Sequence, residues 1–213
     1  MASIRKTLFP FAALLLLAAA PGITQTMTAA GGGFDLMLHM NTDANSAPSP
    51  LVGTLVGRVR FSLLDWLVVE PGLGLYYTDY FFRGGRALPA EIEYKDATTV
   101  LGLLLEIPAL FFWKLADNIT LEGGFSPTLS LRIPFMPHGN DPGADVAGYF
   151  FGSGRFLFLE AQGGAELAMD KNLALTARLR ALIPIFHLWD GEGLPFNDQM
   201  AVGLGVGVRY YFR

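Results

Sequence analysis

The 213-residue chain contains no cysteine, which excludes a disulfide framework, a cysteine-ligated zinc site, a thiol nucleophile and a lipidated N-terminal cysteine. Charged residues are scarce, at 16%, and 15 Lys and Arg against 19 Asp and Glu provide no basic surface for nucleic acid. Few stretches are long enough for transmembrane helices. Yet 52% of the residues are hydrophobic and the mean hydropathy is +0.38, which is high for a soluble protein. High hydrophobicity without spanning helices indicates a β-barrel in a membrane.

The N-terminal segment has the layout of an export signal. Arg5 and Lys6 form a short positive region, and an apolar stretch follows over residues 8–20. We predict that residues 1–30 are a signal peptide that is cleaved from the mature protein, with cleavage after Gly22 as the alternative. The apolar stretch is too short to cross a bilayer comfortably, which disfavours a retained membrane anchor.

The remaining chain, residues 31–213, is predicted to form one domain in which apolar and polar residues alternate with a period of two. Leu55, Val59 and Phe61, for example, face one way, while Arg58 and Arg60 face the other. Eight segments follow this pattern: 33–41, 51–63, 66–80, 97–111, 119–132, 156–169, 173–186 and 201–213. Their lengths suit tilted strands that cross a bilayer, which need about 9–11 residues.

The gaps between these segments alternate between long and short. The gaps at 64–65 and 170–172 are compact turns and 112–118 is intermediate, whereas the others are long and rich in Gly, Pro, Asn and Asp. Outer-membrane barrels combine short periplasmic turns with longer external loops and an even number of strands. We therefore predict an all-β fold, a closed antiparallel eight-stranded up-and-down transmembrane β-barrel.

Charged residues within the segments fall on the face opposite the apolar one, together with many glycines. Lysine is absent from this face, because Lys95, Lys114 and Lys171 lie in predicted loops or turns. A confined lumen favours arginine, whose planar fork binds several carboxylate oxygens, and an unpaired buried charge is costly. We predict a lumen charge network of Arg58, Arg60, Glu70, Glu106, Glu122, Glu160, Glu166, Arg178, Arg180 and Arg209, with Asp35 on the same face. The inward glycines would make room for it, and the apolar face would meet lipid.

Aromatic residues cluster at the ends of the predicted strands. Trp66, Trp113 and Phe212 map to the rim with short turns, and Tyr77 and Phe82 map to the opposite rim. Interfacial girdles of aromatic residues are expected of membrane barrels.

The closing residues Gly207-Val208-Arg209-Tyr210-Tyr211-Phe212 resemble the C-terminal signal that small eight-stranded outer-membrane barrels present to the barrel assembly machinery. Gly207, Tyr210 and Phe212 carry this resemblance, although Arg213 follows the final aromatic, where those proteins usually end. The stretches 105–108 and 121–125 are similar to strands of the porin-like outer-membrane β-barrel family. The chain thus resembles the group that contains the OmpA transmembrane domain, OmpX and OmpW. The resemblance implies residence in the outer membrane of a diderm, Gram-negative-type bacterium, surrounded by its lipids, but no single activity.

Two other folds fit the sequence less well. A helical membrane protein is opposed by Pro108 within residues 97–113, and by Arg178 and Arg180 in the middle of residues 173–189. A secreted, lipocalin-like barrel would turn its apolar face inward to hold a ligand.

For function, we predict a barrel plugged by the charge network, with external loops that contact an unknown partner. The alternatives are a narrow channel or hydrophobic-ligand conduit of the OmpW type and, less favoured, a lipid-modifying enzyme. No Ser-plus-acid pattern accompanies His39, His138 or His187, so we predict no catalytic residues and no enzymatic activity. His138, Asp141 and Asp145 could gather a cation, but loops of this composition use Asp and Gly for turn geometry, so we predict no metal and no cofactor.

Overall fold

The computed structural model describes residues 26–42, 48–90, 97–137 and 143–212. The strands in this part of the chain are β1 (Thr26–His39), β2 (Leu51–Leu64), β3 (Leu67–Val69), β4 (Gly72–Arg83), β5 (Arg86–Pro89), β6 (Thr98–Glu106), β7 (Ala109–Ala116), β8 (Ile119–Pro137), β9 (Leu157–Ala168), β10 (Leu173–Ile183) and β11 (Ala201–Tyr211). Helix α1 (Gly143–Phe151) leads into a 3₁₀ turn (Gly152–Gly154), and a second 3₁₀ helix (Ile185–Leu188) follows β10. Among the described residues, no helix is long and apolar enough to cross a bilayer.

The strands close into a ring through antiparallel pairings. β1 pairs with β2 on one side and with β11 on the other, and the pairing of β8 with β9 joins the two halves of the sheet. β3 and β4 together form one interrupted strand, which pairs with β2 on one side. On its other side lies a second interrupted strand, formed by β6 and β7. Eight strands therefore surround the lumen. The predicted closed eight-stranded antiparallel barrel is confirmed.

Proline explains the two interruptions. Pro71 separates β3 from β4, Pro108 separates β6 from β7, and Pro127 lies beside them in β8. Proline has no backbone N–H and cannot donate to the ladder of hydrogen bonds between strands. The three proline carbonyls nevertheless accept hydrogen bonds, over 2.9 to 3.4 Å, from the N–H groups of Val59, Glu70 and Ile107. The wall is therefore still hydrogen-bonded across the breaks.

Several predicted strand boundaries are wrong. β7 continues to Ala116 instead of ending at 111, so Lys114 lies in a strand and not in a turn as predicted. Its ammonium group is exposed and lies 3.1 Å from the Asp117 carboxylate, which is also exposed. β8 likewise continues past the predicted end at 132 to Pro137.

The first strand begins at Thr26, before the predicted start at 33. Ala29 and Ala30 lie opposite Tyr211 and Tyr210, and the Phe212 N–H donates to the Thr28 carbonyl over 2.9 Å. Cleavage after Ala30 stays a prediction, but it would remove this paired part of β1, whereas cleavage after Gly22 would leave β1 whole.

Large apolar side chains cover the outside of the ring. Leu55, Leu179 and Leu204 are 64%, 66% and 55% exposed, as a lipid-facing wall requires. Aromatic pairs stand at both rims, namely Trp66–Phe111 and Tyr210–Phe212 at the end with short turns and Tyr77–Phe135 toward the long loops. The predicted direction of the apolar face is confirmed.

The long loops are more structured than their composition suggests. β5 extends the β4 hairpin through Gly84 and Gly85, which both have positive φ, 60° and 81°, as a tight two-residue turn requires. The third long gap was expected to be an irregular loop but contains α1. This helix packs over the barrel end through Val146, Tyr149 and Phe150, which are buried with Tyr80, Ala87 and Val100.

Candidate functional site

The part of the lumen nearest the short turns holds a charge-balanced group of side chains, the lower cluster: Arg60, Arg178, Arg209, Glu70, Glu122 and Glu166. Glu70 and Glu122 each pair with all three arginines. Arg209 Nη2 lies 2.7 Å from Glu70 Oε2, and Arg178 Nη2 lies 2.9 Å from Glu122 Oε1. Glu166 pairs with Arg209 and accepts a hydrogen bond from the Tyr211 hydroxyl at 2.6 Å. Every arginine here has a carboxylate partner, as burial requires.

The next level of the lumen, the upper cluster, consists of Arg58, Arg180, Asp35, Glu106 and Glu160. The Arg180 side chain is completely buried and pairs with all three acids, at 2.7 Å in the case of Glu160. Arg58 Nε lies 2.6 Å from Glu106 Oε1, and its Nη2 lies 3.3 Å from Asp35. Two arginines therefore hold three carboxylates, and this cluster contains one acid more than it has cations.

All ten residues of the predicted network lie in these two clusters, and Asp35 is an additional member of the upper cluster. Inward glycines provide the space for them, as predicted. A Cβ atom on Gly205 would lie 2.0 Å from Asp35 Oδ1, and one on Gly72 would lie 2.7 Å from Glu106 Oε1. The absence of a side chain at these positions is what allows the carboxylates to reach the arginines.

An apolar layer fills the lumen beyond the upper cluster, toward the long loops. Its buried members are Met37, Val52, Tyr76, Leu104, Phe158, Leu182, Phe186 and Ala201. Phe186 comes from the 3₁₀ helix after β10 and packs edge-on against Phe158, with ring centroids 5.5 Å apart. This segment, predicted as the end of a strand and the start of a loop, therefore folds into the barrel.

Arg132 lies at the same end of the lumen and was missed in the sequence. It is 3% exposed, and its guanidinium carbon lies 4.5 Å from the centre of the Phe150 ring and 5.5 Å from that of Phe158. Its Nη1 donates to Gln199 Oε1 over 2.9 Å. The signal was present, because Arg132 shares the inward parity of Glu122 along β8.

Asp198, in the loop between β10 and β11, connects three loops through hydrogen bonds. This fully buried carboxylate accepts hydrogen bonds from the Thr42 hydroxyl at 2.8 Å and from Arg86 Nη2 at 2.9 Å. Its backbone carbonyl bonds to His187 Nε2 at 2.8 Å, while His187 Nδ1 bonds to Asp190 at 2.8 Å. The loops after β1, β4 and β10 are thus held in one arrangement.

Glu192 in the same loop reaches the third long loop. Its carboxylate pairs with Arg155 and accepts a hydrogen bond from the Tyr149 hydroxyl at 3.4 Å. Burial, together with the nearby Glu192 charge, raises the pKa of the Tyr149 hydroxyl. Gln199 Nε2 also donates to that hydroxyl, at 2.8 Å, so α1 is fixed over the barrel end.

Comparisons with known proteins bear on this architecture. Neisserial surface protein A (NspA) superimposes with a TM-score of 0.54 at 12% identity, covering 88% of this chain and 99% of NspA. Ail of Yersinia pestis is also similar, with a TM-score of 0.48 at 10% identity, covering 89% of this chain and 100% of Ail. So is the N-terminal barrel domain of Pseudomonas aeruginosa OprF, with a TM-score of 0.45 at 12% identity, covering 89% of this chain and 100% of that domain. No protein-family model matches the sequence, and no curated protein matches it.

The chain has the fold of a small outer-membrane β-barrel. In the described residues the eight-stranded ring is closed by the pairing of β8 with β9, and its exposed wall is apolar, which are the two conditions for spanning a bilayer with strands.

The predicted assembly-signal residues lie at the C-terminal end of the barrel wall. Tyr210 and Phe212 are 51% and 42% exposed on the outside, with ring centroids 5.8 Å apart. Gly207 pairs with Gly33 on one side and with Thr176 on the other. Their recognition by the assembly machinery stays a prediction.

The histidines and the loop acids form no metal site in the described ranges. His39 packs against Tyr76, with ring centroids 5.6 Å apart. Asp145 lies in the first turn of α1, and the other two candidate ligands, His138 and Asp141, lie outside the described residues.

The different charge balance of the two clusters predicts unequal effects of neutralising an acid. Glu122→Gln leaves three arginines with two carboxylates in the lower cluster, and we expect it to lower the free energy of unfolding by about 2 kcal/mol. Glu160→Gln removes the surplus acid of the upper cluster and should cost less than about 1 kcal/mol. Urea titration of both variants in lipid vesicles measures the difference. Equal losses would contradict the assigned charge balance.

Proposed function

We propose that this outer-membrane barrel is a closed, non-conducting protein whose external loops carry its interactions with a partner. The observation that carries the proposal is the filled lumen, in which the lower cluster, the upper cluster, the apolar layer and α1 follow one another along the axis. The cavity beside the two clusters at this level is small. It has a volume of about 10 Å³ and lies next to Arg58, Arg60 and Glu70, which is room for about one water molecule.

The loop surface supports the second half of the proposal. The ion pairs of Asp198 and Glu192 hold the loops in a fixed arrangement, which lowers the entropy lost when a partner binds. Phe151, Leu188 and Phe196 remain 46%, 73% and 51% exposed on these connections. Exposed apolar side chains next to a charged rim are typical of surfaces that bind another macromolecule.

Conductance across a planar lipid bilayer tests the closed lumen. We expect no stable openings of porin size after refolded protein is inserted, with insertion verified on the same protein by protection of the wall from protease in vesicles. Stable openings of any size would contradict the closed lumen, and openings smaller than those of a porin would favour the narrow-channel alternative. A hydrophobic-ligand conduit is disfavoured, because Tyr76, Phe158 and Phe186, which would line it, are each at most 1% exposed.

The proposal includes no enzymatic activity, metal or cofactor. Both ring nitrogens of His187 are bonded to groups of its own loop region, so that it is held as a structural residue. The proposed surroundings are the lipids of the outer membrane, with the barrel assembly machinery as a transient partner during biogenesis.

A further inference from the structure

Arg132 differs from the other arginines of the lumen in its lack of a carboxylate partner among the described residues. Each of the other five pairs with at least two acids, and they are Arg58, Arg60, Arg178, Arg180 and Arg209. Arg132 instead contacts two aromatic rings and the Gln199 amide oxygen. Cation–π contacts stabilise a buried guanidinium but do not neutralise it.

A small cavity of about 20 Å³ lies beside this charge. Its wall includes His39, Tyr80, Arg86, Arg132 and Gln199. Two nitrogen atoms of this wall, Arg132 Nε and His39 Nε2, are buried and have no hydrogen-bond partner among the residues that the structure describes. Both residues are more than nine-tenths buried, at 3% and 7% exposure. The cavity therefore combines an uncompensated positive charge with unsatisfied polar nitrogen atoms.

The size of the cavity limits what can occupy it. A single water needs about 10–15 Å³ of such space. The cavity therefore holds one monatomic ion or about one or two waters. It is too small for phosphate, sugars and carboxylic acids with a side chain. Arg86 adds a second guanidinium to the wall, although its own charge is paired with Asp198 at 2.9 Å. The local balance of charge and the volume both favour a small anion.

We propose that this cavity binds one halide-sized monovalent anion, with Arg132 as its counter-charge. His39 donates a hydrogen bond to the anion from Nε2, in the tautomer whose proton is on Nε2. The bound anion would stabilise the closed loops, because Arg132 links β8 to Phe150 of α1 and to Gln199. Gln199 in turn donates to the Tyr149 hydroxyl. The site is separate from the contacts of the loops with a partner and does not depend on them.

Chloride and bromide are the probes. At constant ionic strength, the apparent Tm of the detergent-solubilised barrel is expected to be about 2–4 °C higher in sodium chloride than in sodium gluconate, whose anion is too large to enter. Crystals grown in bromide should show an anomalous peak in the cavity. Arg132→Met keeps an apolar stem between Phe150 and Phe158 but removes the charge, and it should abolish both effects. Arg83→Met, a change at an exposed arginine, should leave both unchanged.

Three outcomes would overturn the proposal: equal Tm values in the two salts, water in place of bromide in the cavity, or a chloride effect that persists in Arg132→Met. If that variant fails to fold, the bromide crystal of the unaltered protein decides between an anion and water.

Discussion

Replacing Arg180 by methionine is expected to lower the free energy of unfolding by about 3–5 kcal/mol. The side chain is completely buried and is the only group that pairs with all three acids of the upper cluster in the described structure. Without it, Asp35, Glu106 and Glu160 would share the single charge of Arg58. Methionine fills much of the vacated volume, so the loss reports charge compensation more than packing. Urea unfolding in lipid vesicles, followed by tryptophan fluorescence, measures it.

Two further variants separate this effect from a general response to mutation. Arg83→Met removes an exposed arginine and should change stability by less than about 0.5 kcal/mol. Adding Glu160→Gln to Arg180→Met removes one of the uncompensated acids and should recover part of the loss. If Arg180→Met were as stable as Arg83→Met, the acids of the upper cluster would not need this counter-charge.

The barrel was predictable from the sequence because its two surfaces impose opposite demands on alternate residues. One face of every strand meets lipid and the other meets a packed lumen, so a period of two is kept along each strand. The parity of the arginines and acids therefore identified the inward face. It could not assign them to a lower and an upper cluster, because their level along the axis depends on the stagger between strands. Arg58 and Arg60 are two residues apart yet belong to different clusters.

The structure of the long-loop end was not predictable in the same way. α1 is a short helix, and short helices depend on packing for most of their stability. Its packing surface, around Tyr80 and Val100, is supplied by β4 and β6, far away in sequence. The contacts of Asp198 with Thr42 and Arg86 are equally non-local, across 156 and 112 residues. The start of β1 was missed for a local reason, since Ala29 and Ala30 are followed by three glycines and show no alternation.

Gly205→Ala is expected to lower the free energy of unfolding by about 3 kcal/mol, although it adds one methyl group. The new Cβ atom would lie 2.0 Å from Asp35 Oδ1 and 2.9 Å from its carboxyl carbon. Asp35 would have to move away from its present contacts with Arg58 and Arg180, which its burial at 1% exposure makes costly. Gly57→Ala provides the matched control, because nothing lies within 4 Å of a Cβ atom at that outward-facing position. It should change stability by less than about 0.5 kcal/mol in the same urea titration.

The double variant Gly205→Ala/Asp35→Ala distinguishes a clash with Asp35 from a general intolerance of β11 to a side chain at this position. Removing Asp35 eliminates the close contact and leaves Arg58 and Arg180 with Glu106 and Glu160, two cations with two acids. The double variant should therefore be more stable than Gly205→Ala alone, and by more than Asp35→Ala changes the stability of the unaltered protein. If it were less stable, the loss in Gly205→Ala would come from the backbone of β11. The need for glycine at this position would then not arise from the charge network.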